Sequence, residues 1–88
     1  MKLQDLLDLL DLDLLVTRYA NQKGRFSASF RNTDVKEGIM LCGAYGDGKD
    51  YHSAVEDYLK KIRGRRIVIN AGDKERRREF TVPESVEQ

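Results

Sequence analysis

An α+β fold is what this sequence predicts: a mostly antiparallel sheet of four to five strands with two helices packed on one face, in the order αβββαββ. Three observations carry the prediction. Leu3, Leu6, Leu7 and Leu10 recur at helical spacing, Arg25–Phe30 alternates as a strand does, and Tyr51–Ile62 traces a second helical stripe.

The opening helix is expected over residues 2–10, its Leu stripe turned inward and Asp5 and Asp8 on the wetter side. After Asp11 the pattern changes to Leu14-Leu15-Val16-Thr17-Arg18-Tyr19, rich in strand formers and closed by the turn sequence Asn21-Gln22-Lys23-Gly24. Phe26, Ala28 and Phe30 then share one face against Ser27 and Ser29 on the other, so these two runs predict a hairpin. Asn32–Glu37 reads as a turn leading to a third strand over Gly38–Tyr45. Gly46-Asp47-Gly48-Lys49 reads as a tight strand-to-helix turn, and Asp50 as the N-cap that follows it. In the second helix Tyr51, Ala54, Val55, Tyr58, Leu59 and Ile62 form the apolar stripe, which Gly64 closes. Ile67-Val68-Ile69 is a short strand of buried type, and Arg77–Val82 is a last strand stopped by Pro83. Residues 1–83 make one domain, and residues 84–88 are expected to be a loose tail.

Composition narrows the function classes. At 88 residues, with 40% hydrophobic and 35% charged residues and a net charge of +1, the chain has room for one modest core. Cys42 stands alone and forms no internal disulfide, which points to a reducing compartment and a cytoplasmic address. The aspartates at positions 5, 8, 11 and 13 break the apolar N-terminus, so no signal peptide, membrane span or membrane partner is expected.

No catalytic set, metal site or cofactor is expected either. A single His and a single Cys cannot make a His/Cys zinc site within one chain. Cys42 reads as a packed strand residue rather than a nucleophile served by His52. The spacing of the N-terminal aspartates reads as a wet helix face. Gly46-Asp47-Gly48-Lys49 lacks the Walker pattern, and Asp47 and Asp50 oppose a phosphate there.

Charge distribution is the more informative feature. Residues 60–78 hold nine bases and two acids, a net +7 inside a nearly neutral chain. Lys60, Lys61, Arg63, Arg65 and Arg66 leave the second helix, and Lys74, Arg76, Arg77 and Arg78 enter the last strand. If the last two strands pair, both clusters border one side of the sheet and form a binding patch for phosphates or an acidic protein. The helix dipole gives Lys60, Lys61 and Arg63 a purely structural use as well.

Arg25–Ile62, with strands, the glycine-bracketed Gly46-Asp47-Gly48 and a helix turning Ala54 to the sheet, resembles the second half of a double-stranded-RNA-binding domain. Where that family carries phosphate-gripping lysines, this chain has Tyr51, His52 and Val55. The same segment is similar to HicB-type antitoxin modules through Gly48-Lys49-Asp50 and His52-Ser53-Ala54. Across the whole chain, the Leu/Asp-rich opening, the "ASF" strand, the "GxYGxG" turn, the "AVEDYLKKIRG" helix and the closing "RREFTVP" resemble small accessory proteins of phages and prophages of Gram-positive bacteria. That likeness implies a non-enzymatic protein that inhibits or modulates a larger host protein or nucleoprotein, such as a defence nuclease, in the manner of anti-CRISPR inhibitors. The alternative is direct nucleic-acid binding through the basic 60–78 segment. A homodimer formed through an edge strand or the surplus Leu residues of the first helix is also open.

Overall fold

The computed structural model describes residues 1–88, with the element order α1 (Leu3–Leu10), β1 (Leu14–Arg18), β2 (Phe26–Phe30), β3 (Thr33–Glu37), β4 (Met40–Cys42), β5 (Gly46–Gly48), α2 (Tyr51–Ile62), β6 (Arg66–Ile69) and β7 (Arg78–Thr81). The α+β class stands, but seven strands replace the expected four to five, and they form two antiparallel sheets: β1-β2-β5 and β4-β3-β6-β7.

Local chemistry explains most elements. Helix α1 buries Leu3, Leu6 and Leu10 and ends where Asp11 turns left-handed (φ 51°), with Leu12 N–H donating to the Leu7 carbonyl at 2.9 Å in a Schellman pattern. Helix α2 starts at Asp50, whose carboxylate accepts the Ser53 amide at 2.8 Å; that bond holds the Asp50 carboxyl below the usual Asp range. Gly64 ends α2 in a left-handed conformation (φ 72°), and its amide is taken by the Val82 carbonyl at 2.8 Å. The predicted β1/β2 hairpin is present, pairing Leu14 with Phe30 and Arg18 with Phe26.

Two expected turns are strands instead. Asn32–Glu37 is not a turn: Asn32 alone makes the corner (φ 53°), and Thr33–Glu37 is a central strand between β4 and β6. Its alternation of Val35 with polar neighbours is too short to outweigh the charged residues when read alone. Gly46-Asp47-Gly48 is not a turn either, but the strand β5, paired with Ala28, Ser27 and Phe26 of β2. Consequently the expected strand over Gly38–Tyr45 shrinks to Met40–Cys42, and Gly43-Ala44-Tyr45 carries the chain back to the first sheet.

The glycines of β5 are required by contact. A Cβ on Gly46 would lie 2.0 Å from the Ala54 carbonyl oxygen, and one on Gly48 would lie 2.4 Å from the Ala54 amide nitrogen. Helix α2 therefore rests on bare β5 backbone, and Asp57 fixes the pair by accepting the Asp47 amide at 2.8 Å. One core joins both sheets and both helices, with Leu6, Leu59, Ile62, Ile67 and Val82 fully buried and Phe30 edge-on to Tyr58 at 5.0 Å. Burial pushes the Tyr58 hydroxyl up from its ordinary pKa.

Nor is the C-terminus loose. Val86 is 1% exposed, the Leu3 amide donates to the Glu87 carbonyl at 2.6 Å, the Glu87 amide donates to the Met1 carbonyl, and Gln88 reaches the His52 carbonyl at 3.1 Å. Five residues without a helical or alternating pattern give no sign of this, because their partners, Met1, Leu3, His52 and Arg63, lie far away along the chain. No helix is long and apolar enough to cross a membrane.

Replacing Gly46 with Ala is expected to destabilise the fold by at least about 2 kcal/mol, because backbone rather than a flexible side chain occupies the space. Gly43→Ala, whose new methyl would meet nothing nearer than 3.9 Å, serves as the tolerated control in the same urea titration. Val86→Ala should cost about 2 kcal/mol in that assay, whereas a loose tail would give no change.

Candidate binding cleft

The last turn of α2 projects Lys60 and Lys61 outward because Tyr58, Leu59 and Ile62 take the inward positions. There the helix overlooks the β3/β4 end of the second sheet, and the space between them is a cleft of about 540 Å³. Val35, Cys42 and Ala44 supply its apolar lining, with Tyr45, Lys60, Lys61, Arg65 and Glu37 around them. Three of the nine basic residues singled out by the sequence thus meet at one concave surface.

Their states differ. Lys61 is tied down: its ammonium lies 3.1 Å from an Asp57 carboxylate oxygen, donates to the Tyr45 carbonyl at 2.9 Å and sits 5.5 Å from the centre of the Tyr45 ring. Arg65 pairs with Glu37 across the mouth. Lys60 has no ion pair, and Tyr45 is 56% exposed, a large aromatic surface with one face toward solvent. The cleft therefore offers a free ammonium, an aromatic plate and an apolar floor.

The other six basic residues go elsewhere. Arg63 holds the C-terminus, donating to the Val86 carbonyl at 2.7 Å and to Glu56 at 2.8 Å. Arg66 and Arg77 lie with Lys36 around one carboxylate, Glu79, at 3.0, 3.7 and 3.2 Å respectively. Arg78 donates to the Leu10 carbonyl at the end of α1. Arg76 is 3.8 Å from Asp73, and Lys74 is exposed with no ion pair. β6 and β7 do pair as a hairpin, with Arg66 opposite Thr81 and Ile69 opposite Arg78. Because the pairing is antiparallel, the two clusters enter at opposite ends of that hairpin and share only the ground around Glu79.

The ion cluster on Glu79 also explains a buried residue. Val68 is 0% exposed although it faces away from Ile67 and Ile69, between its cross-strand neighbours Asp34 and Glu79. Lys36 on β3 reaches Glu79 on β7, so that link must pass over β6, and its aliphatic stem covers Val68. Hydrogen bonds from Arg66 and Lys36 hold the Glu79 carboxyl below the ordinary Glu range.

Comparison with protein-family models, curated proteins and solved structures gives no match. The reading of the cleft accordingly rests on its own geometry.

A second hollow, of about 870 Å³, opens between the sheets on the other side of Gly43-Ala44 and is lined largely by polar groups, among them Ser29, Asn32, Asp34, Asn70 and Arg76. No three His, Cys, Asp or Glu side chains converge to hold a metal ion. Cys42 lines the basic cleft beside the last turn of α2, whereas His52 lies in its first turn, about 12 Å away along the helix axis. Tyr45, Glu37 and Cys42 escaped the sequence reading of the site. The aromatic in the "GxYGxG" stretch is the one available signal, and in the sequence it reads as the end of the strand expected over Gly38–Tyr45.

Acids that bind cations and amides here imply a pH response. The Asp47 amide holds the Asp57 carboxyl, and Arg63 the Glu56 carboxyl, below their usual ranges. Groups whose folded pKa is depressed stabilise the fold fully above their unfolded values, about 3.9 for Asp and 4.3 for Glu, and lose that contribution as pH falls through the folded values. The urea midpoint should hold steady from neutrality to about pH 5 and decline below about pH 4, with a shallower decline in Asp57→Ala. A midpoint unchanged down to about pH 2 contradicts this.

Proposed function

We propose that the chain is a non-enzymatic binding domain that takes an acidic, apolar-flanked segment of a larger protein into the cleft beneath Lys60 and so occupies that protein's surface. The observation that carries it is the presence in one cleft of Lys60, which makes no ion pair, and the half-exposed Tyr45 ring beside an apolar lining. Tyrosine and cationic side chains around a concave apolar patch are the composition of interface hot spots. The inhibitory role toward a host protein, implied by the likeness to phage accessory proteins, belongs to the same proposal.

Nucleic-acid binding is the second reading, favoured by one observation. Lys36, Arg66 and Arg77 gather around the Glu79 carboxylate on the open face of the β3-β6-β7 sheet, and with Asp34 on the same face one positive charge is left there in excess.

Affinity capture from a lysate of the source cell separates the two. The same protein should be retained by the full chain and by Lys36→Ala/Arg77→Ala, and be lost on Lys60→Glu/Tyr45→Ala, whose affinity is expected to fall at least about tenfold. Binding to duplex or single strands that weakens steeply with salt, and that only Lys36→Ala/Arg77→Ala impairs, decides for the second reading.

A further inference from the structure

Four sheet edges face outward in this fold, and three are guarded. β5 has its Asp47 amide taken by Asp57 on α2; β7 carries Arg78 and Glu79; β1 ends in Arg18. β4 is different. From Gly38 to Tyr45 the chain has no charge, while Ile39, Met40 and Leu41 are 101%, 65% and 37% exposed. Three consecutive exposed apolar residues at an unguarded edge mark an association surface.

The register determines which backbone groups are free. Gly38 (φ 61°) and Ile39 form the two-residue turn between Glu37 and Met40, with glycine first as a type II′ turn requires. Glu37 and Met40 are thus a hydrogen-bonded pair. Alternation makes Lys36 opposite Leu41 a non-hydrogen-bonded pair, so the N–H and C=O of Leu41 point away from β3 toward the open edge. No backbone hydrogen bond outside the ladders uses them.

We propose that a second copy of this chain occupies that edge, β4 pairing antiparallel with β4 about a two-fold axis at Leu41. The segment Ile39-Met40-Leu41-Cys42-Gly43 is self-complementary in that register. Leu41 meets Leu41 with two reciprocal hydrogen bonds, Met40 meets Cys42, and the bulky Ile39 meets Gly43. Gly43 leaves the space open, since a Cβ there would find nothing nearer than an Asp34 oxygen at 3.9 Å.

At the two-fold axis Leu41 faces its own copy, where a charge would meet its like, and the stretch from Ile39 to Gly43 carries no charge at all. The result is a continuous eight-stranded sheet. Such a sheet keeps its faces, so both basic clefts open on the same side. Met40 of the second copy then stands against Cys42, which lines the cleft, and adds a wall to it.

Covering these side chains removes on the order of 400 Å² per copy, about half of the ~800 Å² per partner of a standard interface, so the dimer is weak and concentration-dependent. This pairing stands or falls independently of what the cleft binds.

Sedimentation equilibrium of the full chain from about 10 µM to about 1 mM tests it. The mass should rise from 10.1 kDa toward twice that value. Leu41→Pro removes the outward N–H without breaking a ladder bond, and should stay at 10.1 kDa throughout with an unchanged circular dichroism spectrum. Should that variant unfold, Leu41→Lys makes the same test by placing like charges directly opposite each other at the two-fold axis. Under mild oxidation Met40→Cys should give a disulfide-linked dimer through Cys42 of the second copy. A constant monomer mass, a dimer that survives both Leu41→Pro and Leu41→Lys, or a doubled mass with no Met40→Cys cross-link overturns the proposal. Retention of β4 by a strand of another protein, with the chain itself monomeric, overturns it too.

Discussion

Much of this architecture depends on the approach of the α2 backbone to the β5 backbone. Without side chains at Gly46 and Gly48, the helix lies on the strand at a distance no other residue permits. Ala54 and Tyr58 pack down onto the first sheet, and Asp57 grips the edge of β5. The helix is thereby aimed so that its far end overlooks the second sheet. Lys60 and Lys61 come to stand over Val35 and Cys42 because β5 holds the helix there.

Electrostatics follows from the same packing. A run of nine bases within nineteen residues is a strong field in an extended chain, but folding brings acids to it from other elements. Glu37 comes from β3, Glu56 and Asp57 from α2 itself, and Glu79 from β7. Several of these bases have structural duties: Arg63 anchors the C-terminus, Arg78 caps α1, and Lys36 with Arg66 roofs Val68. The charge left for a partner is therefore local, divided among Lys60, Lys74 and the ground around Glu79 rather than spread over one broad basic face.

The two chain ends show a related economy of means. Leu3 and Val86 are both buried, and backbone hydrogen bonds join residues 1–3 to residue 87. A domain this small has little core to spare, so closing α1 against the C-terminal segment adds apolar burial that neither terminus supplies alone.

Read alone, the sequence was most reliable where a residue's environment is set by near neighbours. The Leu stripe of α1, the stripe of α2, the Asp50 cap and the β1/β2 hairpin all follow from periodicities over four to eight residues and are present, except that Tyr51, at the first turn of α2, is 56% exposed and leaves five residues in that stripe. What the chain alone left open are features defined by distant partners. Thr33–Glu37 became a strand because β4 and β6 flank it, Gly46–Gly48 because α2 needs a bare surface to lie on, and the tail became ordered because Met1 and Leu3 receive it. The candidate site divides the same way. The sequence determined that the bases are there and that α2 points Lys60 and Lys61 outward. Only the tertiary structure decided which of them are neutralised, since the compensating carboxylates and the Tyr45 ring arrive from elements up to 28 residues away in the chain.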